Sequence, residues 1–356
     1  MTKRPISRRA VLTGSAAVAV GTLSSTTRVL SAAPPATAIT PALIKAAQKE
    51  GRLNYYTSID LPVANPLAKA FEAKFPGISV KVERSGAERV FQRIGQEYAS
   101  KIHNVDVCNS SDAAHFIVWK RQGILAPFMP EDVARHFTKD RYDADGLFAA
   151  FRVNLPVIGY NTKLVKREEA PKSFADLLDP KWVGKMIKAH PSYSGTIMTA
   201  TQQVTRDLGW EYLEKLAKQK IMQVQSAADP PKKLELGERA VMVDGNEYSM
   251  LIIKARKGPV EVVHPAEGTP FVVGPNGVFK SAPNPNAARL FQAWCFTPEC
   301  QQLIVDLGKL RSVHPLIKET DGRVPFNKIK FMKEDAEAVM KQSDAIKKRY
   351  AQIFKV

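Results

Sequence analysis

Cysteine is scarce in this 356-residue chain: Cys108, Cys295 and Cys300 are all it has. No Cys-x-x-Cys pair and no Cys/His metal spacing occurs, which excludes the zinc-ribbon, zinc-finger and haem-attachment classes. Cys295 and Cys300 flank a break at Pro298, so a bridge between them is allowed in an oxidising compartment but not compelled. The histidines, at 103, 115, 136, 190, 264 and 314, are scattered without ligand spacing. The chain also lacks the G-x-S-x-G, H-E-x-x-H, P-loop and G-x-G-x-x-G patterns of common hydrolases, zinc peptidases and nucleotide-binding proteins. These absences point away from an enzyme and away from a bound cofactor. No apolar run approaches the ~20 residues that span a bilayer. Acids are under-represented as well, 35 Asp and Glu against 52 Lys and Arg, for a formal net charge of +17. The basic excess is spread along the chain, with no clustered block and no nucleic-acid motif. It favours an anionic small-molecule ligand over nucleic acid.

What is present begins with an export signal over residues 1–38. Arg8-Arg9 precede a short, weakly apolar run from Ala16 to Leu23, a pattern of the twin-arginine type. Ala36-Thr37-Ala38 offers an A-x-A cleavage site, and cleavage near Ala32 is the other option. Removal would take five basic side chains and no acids, so the remainder stays basic.

From Ile39 onward, strand-length apolar runs alternate with amphipathic runs of helix length. Spacing predicts strands at 53–56, 78–82, 105–107, 185–189, 222–225, 240–243 and 260–263. It predicts helices at 42–49, 62–75, 87–100, 113–122, 196–208, 210–219, 231–236 and 247–256, a short one at 174–178, and a mostly helical third from Asn286 on. Such β-α alternation argues for an α/β fold with parallel or mixed sheets. Two extended apolar runs, "FAAFRVNLPVIGY" (148–160) and "PFVVGPNGVFK" (270–280), read as crossings between lobes. They imply a discontinuous first lobe, 39–151 with 271–356, and an inserted second lobe, 152–270.

Open α/β sheets bind ligands beyond the carboxyl ends of their strands, where helix N-termini offer free N–H groups. Five strand-to-helix junctions here are rich in small polar residues. Three belong to the first lobe: Thr57-Ser58, Ser85-Gly86 and Asn109-Ser110-Ser111. Two belong to the second: Ser192-Tyr193-Ser194-Gly195-Thr196 and Asp244-Gly245-Asn246-Glu247-Tyr248. Each junction has a plainer reading as a helix cap. The second-lobe run "SYSGT" carries more hydroxyls than a cap needs, and Gly195 admits a close approach to the backbone. Arg84 is either an anion contact or a surface side chain. Arg152, in the first crossing, is more simply a solvated or paired arginine, and His190 a structural histidine. Tyr55-Tyr56 lies within a strand, so its rings face opposite sides as core.

Seven segments in order then resemble one family: "EGRLNYYTS", "AFEAKFPGISVKVERSG", "DVCNSSD", "VIGYNTKLV", "FADLLDPKWVGKMIKAHPSYSGT", "SAADPPKKLELGERAVMVDGNEY" and "VVHPAEGTPFVVGPNGVFKSAPNPNAARLFQAWCFTPECQQ". The chain looks like a periplasmic substrate-binding protein of an ABC importer, in the extracellular solute-binding group that includes the ferric-iron-binding proteins. The resemblance implies a two-lobed periplasmic-binding-protein fold. It also implies a hinge, a small-molecule ligand in the interlobe cleft, a membrane permease as partner, and a monomer. Iron relatives bind metal through two consecutive tyrosines; here Asn246-Glu247-Tyr248-Ser249 supplies one. That departure favours a small organic anion or zwitterion, phosphorylated, phosphonate or carboxylate. Ferric iron held by Tyr248, Tyr193 and Glu247 is the alternative.

Overall fold

The computed structural model describes residues 34–320 and 322–356. The arginine pair and apolar run of the expected export signal lie outside them. The described chain opens with a two-residue strand, β1 (Ala36–Thr37), then α1 (Pro41–Glu50), β2 (Arg52–Thr57), α2 (Leu61–Lys74), β3 (Ser79–Arg84), α3 (Ala87–Ala99), β4 (Val107–Asn109) and α4 (Ala113–Arg121). After β5 (Met129–Pro130) and α5 (Glu131–His136), two strands run back to back, β6 (Ala149–Asn154) and β7 (Pro156–Asn161). Next come β8 (Met186–Ala189), α6 (Gly195–Leu208), α7 (Trp210–Ala217), β9 (Met222–Val224), α8 (Asp229–Glu235), β10 (Val241–Asn246), α9 (Glu247–Ala255) and β11 (Val260–Val263). The chain closes with β12 (Val272–Val278), α10 (Pro285–Cys295), α11 (Pro298–Gly308) and α12 (Ala336–Phe354).

Ten of the twelve described strands form two mixed five-stranded sheets, ordered β3-β2-β4-β12-β6 and β11-β7-β10-β8-β9, and β1 pairs with β5 in a separate parallel pair. In the first, β3, β2 and β4 run parallel. In the second, β10, β8 and β9 do. Leu155 alone separates β6 of the first sheet from β7 of the second, and the return passes between β11 and β12. Each sheet is covered on both faces. On the first, Tyr55 points to the side packed by α2 and α10, its ring 4.9 Å from Phe291, while Tyr56 joins Val90, Phe116 and Trp119 on the other. That split is the expected period-two alternation.

Helix ends follow local chemistry. Thr40 caps α1 through Leu43 N–H at 3.2 Å, and Gly51 closes it with φ 68°, a left-handed turn that glycine adopts freely. β4 starts two residues later than spacing predicts. Asp106 is occupied in the bend before it, accepting backbone N–H bonds of 2.7 Å from Asn54 and from Asn284. The larger departure is 309–335, which is predicted helical and is mostly irregular. Pro315, Gly322 and Pro325 break its period. Side-chain anchors hold it instead, among them Phe326 and Phe331 against Phe271. The last helix touches both halves: Glu337 meets Arg121, and Tyr350 Oη donates to Gln223 at 2.9 Å. All three cysteines are buried free thiols. No described helix is long and apolar enough to cross a membrane.

Candidate functional site

The carboxyl ends of β3, β2 and β4 are level: Arg84 pairs with Thr57, and Thr57 with Asn109. The residues that follow are Ser85, Ser58 and Ser110, three serines side by side at one sheet edge. Backbone bonds fix the row, Ser85 N–H to Thr57 O and Ser58 N–H to Asn109 O, both 3.1 Å. Behind it start α3, α2 and α4. Thr57 itself lies under the edge, fully buried, and its hydroxyl accepts Ile59 N–H at 3.0 Å.

The second sheet faces this edge with the ends of its own parallel strands. Ser194 caps α6, accepting Ile197 N–H at a long 3.4 Å. His190 Nδ1 accepts the Ser192 N–H at 3.0 Å, which fixes the turn and gives His190 the structural part expected of it. Backbone meets backbone where the halves touch. A Cβ on Gly86 would fall 2.6 Å from Tyr193 O, and one on Gly195 would fall 2.7 Å from Asp112 Cβ. Both positions need glycine because nothing larger fits between the lobes. Tyr193 lies at the rim, 39% exposed, with Arg89 5.4 Å over its ring.

Charge inside the cleft is mainly cationic. Arg152, on β6, is buried, and its hydrogen-bond partners are neutral: Asn109 Oδ1 at 2.9 Å, Ser58 Oγ at 3.0 Å and Asn154 Oδ1. Among the described residues it forms no salt bridge, and burial lowers its pKa. Asn154 in turn donates to Thr196 Oγ1 at 3.4 Å, linking the guanidinium to the start of α6. Arg84 pairs with Asp60 at 2.6 Å and reaches Ser226 of the second lobe at 3.3 Å, while its Nε has no partner among the described residues. Asp60 stands at the N-cap of α2 but makes no capping bond, because its other oxygen accepts from Tyr248 Oη at 2.9 Å. The N-cap residues of α3 and α9, Gly86 and Asn246, make no side-chain cap bond either. Three helix starts thus have no side-chain cap where anions are stabilised by N–H groups and the helix dipole.

Two acids expected in the cleft are engaged elsewhere. Glu247 takes a bidentate pair from Arg311, 2.8 and 2.7 Å, with His264 3.3 Å away. Burial would raise its pKa, but these partners outweigh that and hold it at about 2. Asp244 is buried against Lys188, and burial lifts it to about 6 despite that ammonium. Glu247 is therefore not left for a ligand amine or a metal, while Asp244 gives one oxygen to Lys188 and keeps Oδ1 without a partner among the described residues. Tyr248 does face Asp60 and Arg152, yet burial, then Asp60, raises its phenol above the ordinary value, which disfavours a phenolate. Ser110 accepts from the Asp112 N–H and also contacts His115. Ser111 is buried beside it. Arg152, Asn154 and Ser226 are the site residues that local pattern under-weights, whereas Asn109 opens the third junction. The sequence signal for Arg152 and Asn154 is their place in the crossing run 148–160.

Two clusters among the described residues each bring three potential metal-ligating side chains together. In Glu88–Asp112–His115, both histidine nitrogens are engaged, by Ser110 and Glu88, and Lys347 holds the second Glu88 oxygen. In Asp132–His136–His314, beside a surface cavity of about 560 Å³, His314 Nδ1 accepts Leu316 N–H at 3.2 Å. That bond places the His314 proton on Nε2, so neither nitrogen offers a lone pair.

Two α/β lobes joined by crossing strands, with helix N-termini of both meeting at one cleft, have the architecture of a two-lobed solute-binding protein. The chain belongs to the bacterial extracellular solute-binding protein family, which it matches over residues 66–321. It is the periplasmic solute-binding component of an ABC importer. An uncharacterised protein of Haemophilus influenzae is 24% identical over 326 residues, 87% of this chain and 92% of its own length. Iron uptake protein A1 of Synechocystis is 30% identical over 139 residues, 39% of this chain and 38% of its own. Among solved structures, AfuA of Actinobacillus pleuropneumoniae with exogenous fructose-6-phosphate bound has a TM-score of 0.78 at 22% identity, covering 86% of this chain and 99% of AfuA. Iron-bound HitA of Pseudomonas aeruginosa has a TM-score of 0.73 at 23%, covering 85% and 99%. At these identities the structures establish the shared two-lobed fold.

Proposed function

We propose that the cleft captures a small organic anion, its phosphate or carboxylate on Arg152 and Arg84 and its hydroxyls or an ammonium on Asp60. The observation that carries this is Arg152, a buried guanidinium with neutral partners only. A buried charge is costly unless paired, and an anionic ligand would pair it bidentately. The serine row and the helix starts add neutral donors around the same point. AfuA with fructose-6-phosphate bound supports a phosphorylated ligand.

Ferric iron is the second reading, favoured by the Tyr248–Asp60 oxygen pair and by the iron-bound and iron-uptake relatives. The two guanidiniums weigh against it by repelling a cation. Isothermal titration with hexose phosphates, a phosphonate, a dicarboxylate and ferric citrate decides between them. The anion reading expects saturable binding of at least one organic anion, lost in Arg152→Met. Tight ferric binding that survives Arg152→Met contradicts it. Export by the twin-arginine route and action as a monomer complete the proposal. Ala36 and Thr37 pair with Met129 and Pro130, which favours cleavage near Ala32 over cleavage after Ala38.

A further inference from the structure

The junction after β4 carries a hydrogen-bonded chain that anion capture does not by itself require. Ser110 Oγ lies 2.8 Å from His115 Nδ1, and His115 Nε2 lies 2.9 Å from Glu88 Oε1. The second Glu88 oxygen accepts from Lys347 Nζ of α12 at 2.7 Å. Ser110, His115 and Glu88 are all buried. Facing His115 are Glu88 and the stacked ring of Phe91 from α3, Asp112 at 3.9 Å and Trp119 from the α4 side, and Lys347 beyond Glu88 from α12.

Ser110 Oγ also accepts the Asp112 N–H at 3.2 Å. A hydroxyl has two acceptor sites and one proton. When His115 is an imidazolium, its Nδ1–H fills the second acceptor site, and the Ser110 proton turns away from both partners. When His115 is neutral and donates from Nε2 to Glu88, Nδ1 is a bare lone pair and draws that proton inward. The structure points to His115 as a positioning residue: charged, it presents the Ser110 hydroxyl to the bound anion as a donor, and on losing its proton it withdraws that donor and weakens binding. This rests on the proposed anion-binding function of the cleft. Burial alone would lower the His115 pKa, but Glu88 and Asp112 outweigh it and hold the ring above its usual value. Loss of affinity therefore falls above the ordinary histidine midpoint of ~6.5.

The test titrates inorganic sulfate, whose charge is constant across the range, into the protein from pH 6 to pH 9. The wild type is expected to lose affinity by about tenfold or more, the worth of one hydrogen bond to a charged group. Ser110→Ala should bind at pH 6 as weakly as the wild type does at pH 9, with a flat profile. His115→Gln, whose amide donates at every pH, should also be flat but tighter than Ser110→Ala. Nitrogen-15 NMR of the wild-type imidazoles should find His115 doubly protonated at pH 6, a readout that needs no variant to fold. A flat wild-type profile, a pH-dependent His115→Gln, or a neutral His115 at pH 6 overturns the inference and leaves the anion reading standing. Failure of the wild type to bind sulfate or any organic anion at pH 6 overturns both.

Discussion

Two arginines are each 1% exposed, and they differ in what neutralises them. Arg311 meets Glu247 face to face and Glu319 at 2.8 Å, and donates to Val324 O as well. Its backbone accepts Val153 N–H at 2.8 Å, so it rivets the irregular 309–335 segment to the crossing strand and to α9. Arg152 lies one residue before Val153, on the cleft side, and meets asparagine and serine oxygens only. Arg311 finds its counter-charges within the chain; in the proposed function Arg152 finds its own in the bound anion. Burial alone does not distinguish a structural charge from a binding one. The partner does.

The comparison breaks most visibly at Arg311. Arg311→Met strands a buried carboxylate and should cost about 3–5 kcal/mol in urea unfolding, with anion affinity of the folded fraction near wild type. Arg152→Met should do the reverse. Losing charge-assisted hydrogen bonds should weaken anion binding by about a hundredfold or more, with a smaller stability change than at Arg311, because the unpaired charge is itself costly. pH separates the two sites further. Glu247 titrates at about 2 in the folded protein, below its unfolded value. Its stabilisation is therefore full above the unfolded midpoint of ~4.3 and is lost as pH falls toward 2, up to about 3 kcal/mol. Unfolding curves between pH 7 and pH 3 should show this slope, and Glu247→Gln should flatten it.

A smaller effect sits where the lobes touch. Gly195→Ala places a methyl 2.7 Å from Asp112 Cβ and 3.0 Å from Ala87 Cβ. It should hold the cleft ajar and weaken binding about tenfold, the scale of ~1–3 kcal/mol of overpacking, while the melting temperature barely moves. The smallest change is expected for Ser194→Ala with Thr196→Ala, about 1 kcal/mol of capping and a severalfold loss of affinity.

Much of this was legible locally. Tyr55 and Tyr56 divide between faces as strand alternation requires, and the serines at 58, 85 and 110 stand at strand ends as the β-α grammar places them. Glu247 misled because its partner is 64 residues along the chain, in a segment with no periodicity to announce it. Arg152 is hard to read for the same reason in reverse: that its hydrogen bonds go to asparagine and serine oxygens, with no carboxylate in direct contact, is a tertiary fact. The third from Asn286 on reads as mostly helical, but Pro315, Gly322 and Pro325 interrupt 309–335, and tertiary anchors such as Phe326 and Phe331 on Phe271 replace the helix there.

The most direct measurement is native mass spectrometry of the protein purified from periplasm without refolding. The account predicts a co-purified organic mass bearing phosphate or carboxylate, released by acid and absent from Arg152→Met. An iron adduct, with the visible band of phenolate-to-iron charge transfer and retained in Arg152→Met, would contradict it.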